Sequence, residues 1–267
     1  MKNLMQKIVP WCVALLLWGT ADAYAGRSCE EAPPTADTFM HALELAAKTR
    51  TALESSGAQV ALIGRVGQDL SKYQLRYSHV GIVWRDHPEG RWLVVHELNQ
   101  CGTAGSALFN EGLGNFFMDN MFAFETLIMI PDPATQQKLV AQLRSPLPMA
   151  LHADAYNMVA YAFSTRYQNS NQWVLEVLAA AQSESVAITT REQAQAFLKL
   201  TGYQPTTLNI PTMTRLGGRM FRANIAFDDH PFDRRMAGQI DTVTVDSIER
   251  YLKRREPNLR EIALQLN

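Results

Sequence analysis

The sequence predicts an α+β protein in which an antiparallel sheet packs with helices and carries helical additions. Three observations predict it. Apolar residues recur at helical spacing through Ala36–Ser56. Two segments rich in Val, Ile, Tyr and Trp, residues 73–84 and 91–98, flank the turn cluster Asp86-His87-Pro88-Glu89-Gly90 and read as a β-hairpin. Further helical and strand-like stretches then alternate without a repeat, a low-complexity tract or a long linker, which argues for one domain.

The chain opens on Lys2 and Lys7, an apolar run over residues 8–18, and the small-x-small triplet Ala23-Tyr24-Ala25. That order reads as a secretory signal peptide, residues 1–25, cleaved near Ala25. The apolar run is shorter than the roughly 20 residues that span a bilayer, and Pro10 interrupts it. No later stretch is long and clean enough to span a membrane. The expected product is a single domain of residues 26–267 that works outside the cytoplasm. Pro33-Pro34-Thr35 leads into the helix Ala36–Ser56, whose apolar positions are Phe39, Leu43, Ala46, Ala47 and Leu53 and which Gly57 ends. After the hairpin, residues 122–130 read as a third strand closed by Pro131-Asp132-Pro133. Residues 134–144 read as a helix stopped before Pro146, and 169–182 and 190–200 as two more helices. Residues 221–227 read as a strand, and 244–255 as a final helix opened by the cap-like Asp246-Ser247-Ile248-Glu249.

The formal net charge is −1, and loss of Lys2, Lys7 and Asp22 with the leader makes it −2. Such a balance gives no electrostatic footprint for nucleic acid. The clusters Arg234-Arg235 and Lys253-Arg254-Arg255 read as solvated faces. Cys12 leaves with the leader, so Cys29 and Cys101 are expected to pair in an oxidising compartment. That bridge would stabilise the fold by about 4 kcal/mol on chain-entropy grounds. No GxxxxGK[ST], GxGxxG, HExxH or GxSxG pattern occurs, and no cofactor or metal is expected. The stretch Gly102-Thr103-Ala104-Gly105-Ser106 reads as a Gly-rich turn, and Asp228-Asp229-His230 as a turn or surface segment.

One constellation carries chemistry. Tyr77-Ser78-His79-Val80-Gly81-Ile82-Val83 puts a histidine on one strand, and Val94-Val95-His96-Glu97-Leu98 puts two polar residues on its hairpin partner. Much later, Tyr167-Gln168-Asn169-Ser170-Asn171-Gln172-Trp173 runs from a polar segment into a helix. A histidine base, a polar orienter and a nucleophile at a helix N-terminus follow the logic of a catalytic triad. The helix dipole favours an anion at that end. The orienter depends on register: pairing residue 79 with 96 presents His96, and a one-residue slip presents Glu97. Ser170 and Asn169 are also residue types that cap helices.

The His79-Val80-Gly81-Ile82 strand followed by the Val95-His96 strand is similar to the circularly permuted NlpC-type papain-like superfamily, which includes lecithin:retinol acyltransferase. More closely, residues 28–252 resemble a bacterial family known as domain of unknown function 2145. That likeness rests on the His79 strand, on residues 169–176, and on Asp241-Thr242-Val243-Thr244-Val245-Asp246-Ser247-Ile248. The resemblance implies a papain-like fold in the periplasm of a Gram-negative-type bacterium. It makes His79 the general base, His96 its orienter and position 170 the nucleophile. The superfamily uses cysteine there, and this chain has Ser170. A helix dipole contributes at most about 2 kcal/mol, too little to ionise a hydroxyl, so His79 must take the proton during reaction. The implied activity is hydrolysis or acyl transfer at an amide or ester of the cell envelope, with an envelope small molecule or peptide as partner. The alternative is an inactive domain that binds such a ligand or a protein.

Overall fold

The computed structural model describes residues 34–119 and 121–266. The expected signal peptide, its cleavage site and Cys29 lie outside that range, while Cys101 is disulfide-bonded. Helix α1 (Ala36–Ser56) begins at Thr35, whose side chain caps Thr38 N–H, and ends at Gly57 in the left-handed region at φ 70°. Its buried stripe is Ala42, Leu45, Ala46, Thr49 and Leu53, whereas Phe39 and Leu43 stay exposed on its flank. Strand β1 (Val60–Val66) follows and is buried along its whole length. A strand buried on both faces has no polar–apolar alternation to mark it in the sequence.

Strands β2 (His79–His87) and β3 (Gly90–Asn99) form the expected hairpin. The first of them starts at His79 rather than residue 73, because Ser71–Tyr73 forms a 3₁₀ turn. Strand β4 (Ser106–Gly112) pairs with β3, and short α2 (Leu113–Met118) crosses back over the sheet. Strand β5 (Ala123–Ile130) pairs with β1, and after it come α3 (Pro133–Leu143), α4 (Leu147–Ala150), α5 (Ser170–Gln182) and α6 (Arg191–Leu200). The chain then runs through β6 (Thr206–Asn209), α7 (Thr212–Phe221), α8 (Phe232–Met236), β7 (Gln239–Thr242), α9 (Val245–Arg255) and β8 (Arg260–Gln265). The six-stranded sheet is antiparallel in the order β4-β3-β2-β1-β5-β8, and β6 and β7 form a separate ladder. The protein is therefore α+β, as the sequence predicts.

Residues 221–227 are not a strand. Helix α7 ends at Phe221 and a turn follows, in which Ile225 N–H donates to Arg222 C=O. The polar groups a strand would offer a neighbour go to loop residues instead: Ala226 N–H donates to Asn157 Oδ1, and Ala226 C=O accepts from Asn157 Nδ2.

The sheet separates two cores. On one face Ala61, Ile63, Val83 and Val94 pack against α1 and α2 through Leu45, Leu53, Phe116 and Phe117. On the other, Leu62, Ile82, Trp84 and Val95 pack against α5, α6 and α9. Every residue of α5 is buried. Its Trp173 is fully enclosed and donates from Nε1 to Pro148 C=O at 3.0 Å. Truncating such a residue costs about 3–5 kcal/mol. This central helix places Ser170 beside the start of β2.

Candidate active site

Backbone geometry sets the site. On β2 and β3 the register joins Ile82 to Val95 and Trp84 to Leu93. Continued toward the start of β2, this register sets His96 opposite Gly81 rather than His79. The offset is two residues, so His79, Gly81 and His96 share one face of the sheet. Gly81 leaves the room between the histidines: a Cβ there would lie 2.4 Å from Val94 Cγ1 and 3.2 Å from His96 Cβ. His79 Nε2 lies 2.9 Å from His96 Nδ1 across this gap.

The other ring nitrogen meets α5. His79 Nδ1 lies 3.1 Å from Ser170 Oγ. Asn169 is the N-cap, accepting from Gln172 N–H at 2.8 Å, and its own amide bonds Thr242 Oγ1 and Val243 C=O. Ser170 is thus the first helical residue and not the cap. Asn171 ties the helix to the histidine strand: its Oδ1 accepts from Val80 N–H at 3.0 Å and its Nδ2 donates to Ser78 C=O at 3.4 Å. Both backbone neighbours of His79 are therefore held by one side chain. The N–H groups of Ser170 and Asn171 have no hydrogen-bond partner among the described residues, as expected for the first turn of a helix.

His96 is fully buried, and its Nε2 lies 3.2 Å from Glu111 Oε2 on β4. This last contact has ion-pair distance but not hydrogen-bond alignment. One tautomer assignment satisfies the whole series with both rings neutral. Ser170 O–H donates to His79 Nδ1, His79 Nε2–H donates to His96 Nδ1, and His96 Nε2–H points to the Glu111 side. Burial drives the His79 pKa well below the ordinary histidine value, aided by the neighbouring Arg65 and His96. Burial also lowers that of His96, with Glu111 opposing the shift. Arg65 stands opposite His79 in the β1–β2 register. Its guanidinium lies 4.8 Å from the Phe116 ring centre and is held by Phe116 C=O and Asp119. Phe116 itself lies against both imidazoles, with ring centres 5.9 and 5.5 Å away.

Glu97, the other candidate orienter, is not part of this group. One residue along β3 from His96, it points to the opposite face, toward α5 and α6. It is completely buried and neither oxygen has a well-formed hydrogen bond among the described residues. Burial pushes its pKa up to about 8, with Ser106 and the Arg191 charge offsetting part of the effect. Glu176 nearby is compensated: Arg191 Nε bonds it at 2.8 Å, and Gln168 and Gln195 donate to it at 2.7 and 2.9 Å. Asp228-Asp229-His230 is a turn, with Asp228 partly exposed and His230 buried. The Asp229 side chain is buried, accepting from Tyr161 N–H at 2.8 Å and lying 3.0 Å from His230 Nδ1.

Three contributors were not singled out from the sequence: Asn171, Arg65 and Glu111. Asn171 lies inside the nucleophile segment 167–173, and its amide next to a helix start is the available signal. Arg65 and Glu111 lie on strands that the periodicity reading missed. The site is tight. Ser170 and His79 retain 7% and 8% of their full exposure. A cavity of about 600 Å³, lined by Gln142, Pro146, Ala180, Val186 and Ile188, sits at the far end of α5 and not at Ser170.

Residues 52–252 match the family described as uncharacterized protein conserved in bacteria (DUF2145), and the chain belongs to that family. No curated protein and no solved structure matches the chain. Among the described residues, no helix is long and apolar enough to cross a membrane.

Proposed function

We propose that this DUF2145 protein is a periplasmic hydrolase or acyltransferase of the papain-like type, with Ser170 as nucleophile, acting on an amide or ester of the cell envelope. One observation carries the reading. Ser170, His79 and His96 touch in that order, at 3.1 and 2.9 Å, with Glu111 3.2 Å beyond His96. Strand histidines that precede a buried nucleophile helix also fit the papain-like arrangement implied by the sequence resemblance. In the reaction Ser170 Oγ bonds to the carbonyl carbon and its proton passes to His79 Nδ1. The imidazolium is stabilised through His96 and Glu111. The Ser170 and Asn171 N–H groups, at the positive end of α5, are the donors available for the oxyanion. The bond to the leaving amine or alcohol breaks as His79 returns the proton to it. Water or a second alcohol or amine then releases the acyl group from Ser170. His79 is neutral before reaction because of its burial, the protonation state a base requires.

A fluorophosphonate, which phosphonylates activated serines, tests this reading on the exported protein. Mass spectrometry should locate the adduct on Ser170, and neither Ser170→Ala nor His79→Ala should carry it. A folded wild-type protein that stays unlabelled overturns the catalytic reading. A second reading has one observation in its favour, the small exposure of Ser170 and His79: the constellation is kept in a domain that binds an envelope ligand or a protein partner without turnover. Its signature is retention of the ligand unchanged.

A further inference from the structure

Helix α7 is packed the wrong way round for a helix of a closed domain. At 100° per residue, Met213, Leu216, Gly217 and Met220 fall within one stripe of about 100°. That stripe carries three apolar side chains and faces outward: Met213, Leu216 and Met220 are 78%, 52% and 66% exposed. The opposite side is the one against the protein. It is formed by Arg215, which is buried and donates from Nη1 to Ile210 C=O, and by Gly218, which lies against Ile225 and the Phe227 ring. An amphipathic helix normally turns its apolar stripe inward, so this stripe is left for something else to cover. The next helix continues the pattern. Arg235 of α8 donates to Phe227 C=O, so α8 rests on the same residue, and its Phe232 and Met236 are 69% and 60% exposed.

The charges beside the stripe indicate what covers it. Residues 212–236 hold five arginines against three aspartates, inside a chain whose net charge is −1. Arg215 and Arg234 are spent on Ile210 C=O and Asp241. Arg219, on the flank of the stripe, lies 3.7 Å from Asp228 Oδ1 yet keeps 54% of its side-chain exposure, and Arg222 at the end of α7 is exposed. Exposed methionine, leucine and phenylalanine rimmed by arginine, on a helix of high amphipathicity, is the composition of a surface that lies in a bilayer interface. We propose that α7 and α8 dock this protein on an anionic phospholipid surface, with Met213, Leu216 and Met220 in the acyl boundary and Arg219 and Arg222 at the headgroups. This inference is independent of the chemistry at Ser170.

A local reporter separates this contact from any contribution of the N-terminal segment. Leu216→Cys, labelled with the environment-sensitive nitrobenzoxadiazole fluorophore in the full chain, is titrated with vesicles of phosphatidylglycerol and phosphatidylcholine or of phosphatidylcholine alone. The same chain without the introduced cysteine, treated with the label, supplies the background. Expected is a blue shift with the anionic vesicles only, weakening as salt rises. Arg219→Glu together with Arg222→Glu should reduce the apparent affinity by about tenfold or more. Met213→Ser with Met220→Ser should do the same through lost apolar burial. No shift, or an equal shift with neutral vesicles, overturns the proposal. A shift that appears without lipid on raising protein concentration also overturns it, because the face is then an interface between copies of this chain.

Discussion

His96 and Glu97 are consecutive on β3, and both have 0% exposure, yet their surroundings treat them differently. His96 faces α1 and α2, where His79, Glu111 and Phe116 surround it and its Nδ1 has a partner at 2.9 Å. Glu97 faces α5 and α6 and has no well-formed hydrogen bond among the described residues. Burial keeps both neutral near pH 7, the histidine by lowering its pKa and the carboxyl by raising it. A neutral histidine still has one donor and one acceptor in a fixed arrangement, so it can pass an interaction from one neighbour to the next. A protonated carboxyl with no well-formed hydrogen bond passes nothing on. The comparison teaches that burial alone does not mark a functional side chain; an ordered set of contacts does.

The largest expected effect separates the two residues by their influence on Ser170. His96→Ala should slow phosphonylation of Ser170 by about 10²–10⁴-fold, because His79 loses the group that fixes its tautomer. Glu97→Gln should leave the rate within about twofold. Rates for the two variants, measured side by side with a fluorophosphonate, check this. Equal losses would place Glu97 in the same functional unit as His96.

Next in size is the effect on stability against pH. Glu97 has a raised pKa in the folded protein, so its contribution is full below about pH 4.5 and is lost as pH rises through about 8. Glu97→Gln keeps the shape and removes the proton. The variant should gain on the order of 3 kcal/mol relative to wild type between pH 5 and pH 9. The histidines act with the opposite sign. Their lowered values make stability full above about pH 6.5 and decreasing as pH falls below it. Urea midpoints across this range would show both trends, and an unchanged alkaline limb in Glu97→Gln would remove the account of Glu97.

A smaller effect tests the clamp around His79. Asn171→Ala removes the acceptor for Val80 N–H and the donor to Ser78 C=O. It should destabilise by about 1–3 kcal/mol, since a buried N–H is left unpaired. It should also slow Ser170 labelling at a pH and temperature where the variant is fully folded. Loss of stability with an unchanged labelling rate would make Asn171 structural only.

Much of this was legible in the sequence for local reasons. Thr35 and Gly57 bound α1, and Asn169, Thr190 and Thr244 each precede a helix as side-chain caps. The hairpin was legible from its turn cluster and β-branched segments, and the two-residue period narrowed the partner of His79 to His96 or Glu97. The register itself was not, because the loop Pro88-Glu89 admits several pairings and the apolar residues of both strands are buried on both faces. Strands β1 and β4 carry no clean alternation, so Arg65 and Glu111 entered the site only through tertiary pairing. Helix α7 escaped for another reason: Gly217 and Gly218 interrupt its pattern, and its apolar stripe faces away from the core.

The central claim is that His79 acts on the group at position 170, and a thiol introduced there measures this directly. In Ser170→Cys the sulfur stands at the N-terminus of α5 beside His79, where dipole and imidazole together stabilise a thiolate. Its iodoacetamide alkylation rate against pH should titrate well below the roughly 8.5 of a free cysteine. Adding His79→Ala should raise that midpoint again. A thiol that titrates like a free cysteine, and does not respond to His79→Ala, would contradict the account and leave Ser170 as no more than the first residue of a buried helix.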